Sequence, residues 1–262
     1  NLQVRLPALV IGGGLTAIDT ATELFAYYPI QVEKTLDRYE HLVTEFGEES
    51  VLARFNPQER GILSEFLEHG KAVRAERARA SVAGEKPDFV GLVRSWGGVS
   101  IAYRKRLVDS PAYRLNHEEV IKALEEGIVF IENMNPEEAV VDETDSVVAL
   151  RFRTGDRVVE LPARSVLVAA GTTPNVTYEK EHEGTFQFDR KKKYFAPHRV
   201  KRNDDGSMAL EPARDDSVGA VFTSYNKDGR FITYYGDNHP LYAGNVVKAM
   251  ASARDGYPHV VG

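Results

Sequence analysis

The chain has 262 residues, 42% of them hydrophobic and 27% charged, a composition that suits one large or two modest soluble globular domains. A formal net charge of −6 argues against a nucleic-acid-binding surface. The absence of cysteine excludes disulfides, thiolate metal sites, iron–sulfur ligation and a redox-active dithiol within these residues, and favours a cytoplasmic setting. No stretch approaches the roughly 18–20 consecutive apolar residues of a membrane span, so no membrane partner is expected. The opening NLQVRLP has no basic leader and no initiator methionine, and reads as a processed chain or a piece of something larger.

In chain order, residues 6–11 (LPALVI) read as a buried strand, and residues 14–27 carry Leu15, Ile18, Ala21, Leu24 and Phe25 at helical spacing. From about 30 to 97 the pattern is almost wholly helical. Leu36, Tyr39, Leu42, Val43 and Phe46 share one face, and a second helix is predicted to start at Asn56-Pro57 and to bury Ile62, Leu63, Phe66 and Leu67. This stretch is an insertion, and its charged run RAERARA (74–80) reads as a solvated helix face. Strand character returns in GVSIAY (98–103). A helix follows over 116–127, with Asn116 as its N-cap and Gly127 as its stop, then a strand over 128–132. Residues 139–142, 147–152 and 157–162 form an antiparallel meander, and SVLVAAG (165–171) reads as a fully buried parallel strand. Residues 176–219 are polar and weakly periodic, suiting hairpins and loops at a surface. RFITYYGD (230–237) is a strand ending in Gly-Asp, and 243–256 a helix. The fold class expected is α/β: a Rossmann-like parallel sheet with a three-stranded antiparallel meander and a helical insertion. Its domains are 1–175, which binds nucleotide, and 176–262.

The sequence GGGLTA fits G-x-G-x-x-A, in which Gly12 makes the tight turn, Gly14 lets a pyrophosphate approach the backbone, and Ala17 packs helix on strand. Gly13 and Thr16 complete that cradle. A site for NAD or FAD would place an acidic residue at the end of the second strand, roughly 20 residues on. Here the second strand ends instead in Tyr103-Arg104-Lys105-Arg106, a basic cluster placed where a 2′-phosphate would sit, so NADPH is expected over NADH.

VIGGGLTAIDTA, VSIAYRKRLVDSPAYRLNHEEVIKALEEGIVFIEN, SVLVAAGTTPN and YYGDNHPLYAGNVVKAMASARDG together resemble the NADPH-binding domain of the pyridine nucleotide-disulfide oxidoreductase superfamily, with the glutamate synthase small-subunit type as the most similar branch. The likeness covers about two thirds of the chain. It implies an oxidoreductase in which NADP(H), held here, delivers hydride to FAD held by a segment that this chain lacks or by a partner redox subunit. These residues alone would be inactive. The exit Ala169–Pro174, with Ala170 and Gly171, would lie beside the nucleotide, and Gly236-Asp237 with the following helix would be a secondary flavin contact. The insertion at 30–97 and the long link at 176–230 depart from the family pattern.

No candidate catalytic residue emerges, as suits a reaction whose chemistry the cofactor carries. His117-Glu118-Glu119 diverge around a helix and do not suit a metal; His198 and His239 are lone loop histidines, and Asp19 suits packing or capping. The alternative reading is a protein-interaction module: the insertion docks a partner, and the Rossmann unit is a scaffold with little nucleotide affinity.

Overall fold

The computed structural model describes residues 3–171 and 173–261. The chain divides into two compact units, residues 1–171 and 172–262.

The first unit opens with β1 (Ala8–Ile11), α1 (Leu15–Phe46), α2 (Glu48–Leu52), α3 (Pro57–Ala83) and α4 (Phe89–Ser95). It continues with β2 (Val99–Ala102), a 3₁₀ turn at Leu107–Asp109, α5 (Pro111–Glu125) and β3 (Val129–Ile131). It closes with β4 (Asn135–Val141), β5 (Val147–Thr154), β6 (Arg157–Pro162) and β7 (Ser165–Val168). Strands β3-β2-β1-β7 form a parallel sheet in that order, with Ile11 opposite Ala102 on one side and Val168 on the other. Side chains alternate across β1, so Ala8 and Val10 join the core of α1 and α5, while Leu9 joins Ala102, Leu150, Phe152 and Ala163 on the opposite face. The antiparallel sheet β4-β5-β6 supplies that second cover, which is why β1 is apolar throughout. This is a Rossmann-like α/β fold.

The helical insertion differs from expectation at its start. The helix read over 14–27 and the insertion read from about 30 are joined, although a proline inside a helix loses a hydrogen bond and crowds the preceding turn. Helix α1 runs unbroken through Pro29, because Tyr28 and Pro29 themselves, and Val32 and Leu36 beyond them, are all buried. Asn56 caps α3 as expected. Its side chain accepts the Glu59 N–H at 2.9 Å, and the Glu59 carboxylate accepts the Asn56 N–H at 2.8 Å, a reciprocal capping box. Gly70 is the close-approach point of α3 on α1: a Cβ there would lie 2.6 Å from the Val32 carbonyl oxygen. The run 74–80 is more than a solvated face, since Arg74 pairs with Asp37 and Glu40, Arg77 with Glu33, and Arg79 with Glu76 and Glu85.

Two further local expectations need correction. Helix α5 starts at Pro111 with Ser110 as N-cap, whose hydroxyl accepts the Tyr113 N–H at 3.1 Å; Asn116 sits inside the helix at a kink (φ −156°, ψ 80°). Gly127 does stop it, with φ +107° and the Ile128 N–H returning to the Ala123 carbonyl at 3.0 Å. Strand β7, expected to be fully buried, pairs with β1 alone at the sheet edge and leaves Val168 75% exposed.

The second unit holds α6 (Thr177–Glu181), β8 (His198–Arg202), β9 (Met208–Pro212), β10 (Phe222–Lys227), β11 (Arg230–Thr233), a 3₁₀ turn at Gly236–Asn238 and α7 (Val246–Val261). Its sheet is antiparallel, in the order β11-β10-β8-β9. The β10–β11 hairpin turns on Asp228 and Gly229, both with positive φ, the geometry that matches strand twist. A small core forms where Val176, Phe195 and Tyr234 meet Phe186 and Phe188. Among the described residues no helix is long and apolar enough to cross a membrane.

Candidate nucleotide-binding site

The glycine turn follows β1 at the carboxyl end of the parallel sheet, with β2 on one side of that strand and β7 on the other. A crevice forms outside the strand ends of such a sheet, where successive connections leave in opposite directions. Backbone bonds clamp the turn from three elements. The Gly12 N–H donates to the Ala102 carbonyl at 3.2 Å, the Ala112 N–H of α5 donates to the Gly13 carbonyl at 3.0 Å, and the Ala169 N–H donates to the Ile11 carbonyl at 2.7 Å.

The three glycines serve three different ends. A Cβ on Gly12 would run into the backbone carbonyl of Ala169 and would crowd the buried Ala17 methyl, so this position is fixed by packing within the fold. On Gly13 it would overlap the ring of Tyr103, which itself packs edge-on to Phe130. On Gly14 it would meet nothing within 4 Å. Gly14 is also the N-cap of α1, where no side chain supplies a capping hydrogen bond and the first turn carries no acidic residue. A 32-residue helix therefore presents N–H groups at its open end, beside a backbone that admits close approach. Thr16 is exposed on that first turn, as is Asp19 a little further on, where its side chain makes no cap.

Register places the basic cluster beside this turn. Ala102 pairs with Ile11, so Tyr103 and the residues after it leave β2 next to the glycines. Arg104 and Lys105 are exposed, with no ion pair among the described residues. Arg106 is engaged by Asp109: its Nε and Nη2 donate to the two carboxylate oxygens at 2.8 and 3.2 Å, which holds the Asp109 carboxyl below its ordinary range and raises the guanidinium. Glu132, just past β3, accepts the Leu107 N–H at 2.6 Å and so fixes the far end of the same loop. Its only trace in the sequence is a carboxylate directly after an apolar strand. Ala170 and Gly171 are exposed beyond β7, and Thr172, within the Ala169–Pro174 exit, lies outside the described residues.

In the second unit, the Gly236 N–H donates to the buried Ser252 hydroxyl at 2.8 Å, and the exposed Asp237 accepts the Gly244 N–H at 3.2 Å. The start of α7 is capped by its own Asn245, whose side chain accepts the Lys248 N–H at 2.9 Å. Polar groups around Gly236-Asp237 are thus spent on local structure. His198 lies on β8, not in a loop, and its Nδ1 is 2.9 Å from the Ala196 carbonyl. His239 is completely buried between Tyr234 and Tyr242. Its Nδ1 accepts the Leu241 N–H, so Nε2 carries the proton that it donates to the Ala220 carbonyl at 2.9 Å, and burial pushes its pKa down. His117, Glu118 and Glu119 are exposed on α5, and no group of metal-ligating side chains forms among the described residues.

No family model matches the chain. A curated protein of Rickettsia prowazekii (strain Madrid E), the uncharacterized protein RP006, is 29% identical over 257 residues, which is 98% of this chain and 30% of that protein. The chain therefore spans less than a third of that relative's length. Among solved structures, the bacillithiol disulfide reductase Bdr (YpdA) of Staphylococcus aureus overlaps 97% of this chain and 49% of its own, with a TM-score of 0.39 and 13% identity. The thioredoxin reductase of Lactococcus lactis overlaps 66% of this chain and 49% of its own, at 0.39 and 17%. The flavoprotein disulfide reductase RclA of Escherichia coli overlaps 66% and 33%, at 0.38 and 14%. All three carry reductase names. Overlaps this loose assign no activity to this chain, and its 262 residues contain no cysteine for disulfide chemistry of their own.

Proposed function

We infer that the first unit binds NADP(H) and serves as the nicotinamide-nucleotide part of a flavin-dependent oxidoreductase. The observation that carries this reading is the open turn at Gly14: an uncapped, acid-free helix N-terminus beside a position where a Cβ meets nothing. Donors of this kind suit a pyrophosphate. Exposed, unpaired Arg104 and Lys105 at the neighbouring strand end favour a ribose that carries a 2′-phosphate, because a guanidinium fork matches phosphate by charge and by geometry. Arg106 contributes less, being held by Asp109. When bound, the nicotinamide would supply hydride, and flavin would be held outside the first unit; Gly236 and Asp237 offer it at most a secondary contact. The final electron acceptor is set elsewhere.

Calorimetric titration of NADPH and NADH against the purified chain and Arg104→Ala tests the reading. NADPH should bind more tightly than NADH, and Arg104→Ala should weaken NADPH by about tenfold or more while leaving NADH little changed, as expected for one lost charge-assisted pair. Equal affinities, or no binding of either nucleotide, would sink it and leave the Rossmann unit as a scaffold for protein contacts.

A further inference from the structure

A cavity of about 490 Å³ lies between α1 and α3, away from the glycine turn. That volume is within the usual range for small-molecule sites, roughly 300–1,000 Å³. Ile62, Leu63 and Phe66 recur at helical spacing on α3 and give it an apolar wall, with Phe55 on the segment leading into that helix. The facing stripe of α1 includes Lys34 and Arg38, one turn apart.

Most other polar groups around the cavity are already committed. The Gln31 amide exchanges two hydrogen bonds with the Val4 backbone, at 2.8 and 2.9 Å. The Thr35 hydroxyl donates to the Gln31 carbonyl at 2.8 Å, and Glu59 completes the cap of its own helix. Lys34 and Arg38 bring two positive charges without an ion pair among the described residues, against the one negative charge of Glu59, whose carboxylate is turned onto the Asn56 N–H. This contrasts with the adjacent face of the same helix, where Glu33, Asp37 and Glu40 are all taken by arginines of α3. An apolar wall with two unneutralised cations at its edge is complementary to a molecule of opposite sign at one end and hydrocarbon at the other. The arginine fork suits a carboxylate, and the apolar wall beside it suits a hydrocarbon body rather than a second charged group.

We propose that the cavity between α1 and α3 binds a small amphiphile with an apolar body and one carboxylate head, the head held by Lys34 and Arg38 and the body by Ile62, Leu63 and Phe66. The proposal is independent of the nucleotide reading.

Decanoate is the probe, titrated calorimetrically against the intact chain, with decanol and inorganic phosphate as controls. Decanoate should saturate one site per chain, and both controls should bind at least about tenfold more weakly, since each lacks one half of the match. Arg38→Glu should weaken decanoate by at least about tenfold, with its circular dichroism and NADPH titration unchanged, because the side chain is exposed and unpaired. Ile62→Trp should fill the cavity and abolish binding; if that variant does not fold, the charge-reversal and control arms still decide. Absence of saturation, decanol or phosphate binding as tightly as decanoate, or an unchanged affinity in Arg38→Glu would each overturn the proposal.

Discussion

At the scale of single residues, the three consecutive glycines separate fold from ligand. Gly12 is required by the Ala169 carbonyl and Gly13 by the Tyr103 ring, whereas Gly14 faces open space. Gly12→Ala should therefore cost about 1–3 kcal/mol of stability in urea unfolding, since a backbone carbonyl cannot move aside as a side-chain tip can. Gly14→Val should cost no more than about 1 kcal/mol, the price of a poorer N-cap residue. It should nevertheless abolish NADPH binding, because the new side chain fills the space that a pyrophosphate would enter. A Gly14→Val chain that folds and binds NADPH as the parent does would place the nucleotide elsewhere.

At the scale of elements, the insertion stands on how its helices begin and meet. The capping box at Asn56 satisfies donors that α3 cannot pair internally, and Gly70 brings α3 onto the backbone of α1. Asn56→Ala should cost about 1 kcal/mol, read as a lowered urea midpoint with an unchanged slope. The nucleotide titration should be unaffected, because the cap sits on α3 while the turn depends on β1, β2, β7 and α5. A loss much larger than that would mean that the start of α3 also shapes the sheet core.

For the whole molecule, acid sensitivity should arise in both units. Burial lowers the pKa of His69, which is hydrogen-bonded to the Tyr28 hydroxyl at 2.7 Å and stacked on Trp96 in the first unit, and of His239 in the second. A histidine whose folded pKa lies below the unfolded value of about 6.5 favours folding above that pH, and loses this advantage as acidification protonates the unfolded chain first. Thermal midpoints should fall between pH 7.5 and 5.5, above the range in which lowered carboxylates such as Glu76 (about 2) begin to protonate. Glu65, raised chiefly by burial, works in the opposite sense nearer its ordinary range. The double variant His69→Gln/His239→Gln should flatten the pH dependence in this window. An unchanged slope would remove the histidines as its source.

The parallel strands, the meander, the glycine turn, the helix start at Asn56 and the helix stop at Gly127 were legible in the sequence, because period, turn chemistry and capping are local properties of a few neighbouring residues. The same reading failed where distant partners decide. The helix read over 14–27 continues through Pro29 into the insertion because the residues after it find a core to enter, and α5 takes Ser110 rather than Asn116 as its N-cap. Strand β7 is exposed because only β1 pairs with it, and strand order is not written in any one strand's composition. Within the candidate site, the motif and the basic strand end could be read directly. The engagement of Arg106 by Asp109, the anchoring of the loop by Glu132 and the separate duties of three identical glycines could not. Spacing along the chain determined which elements form; what each side chain touches depended on segments up to 160 residues apart, such as Arg5 and Ser165, and only the tertiary structure brings those together.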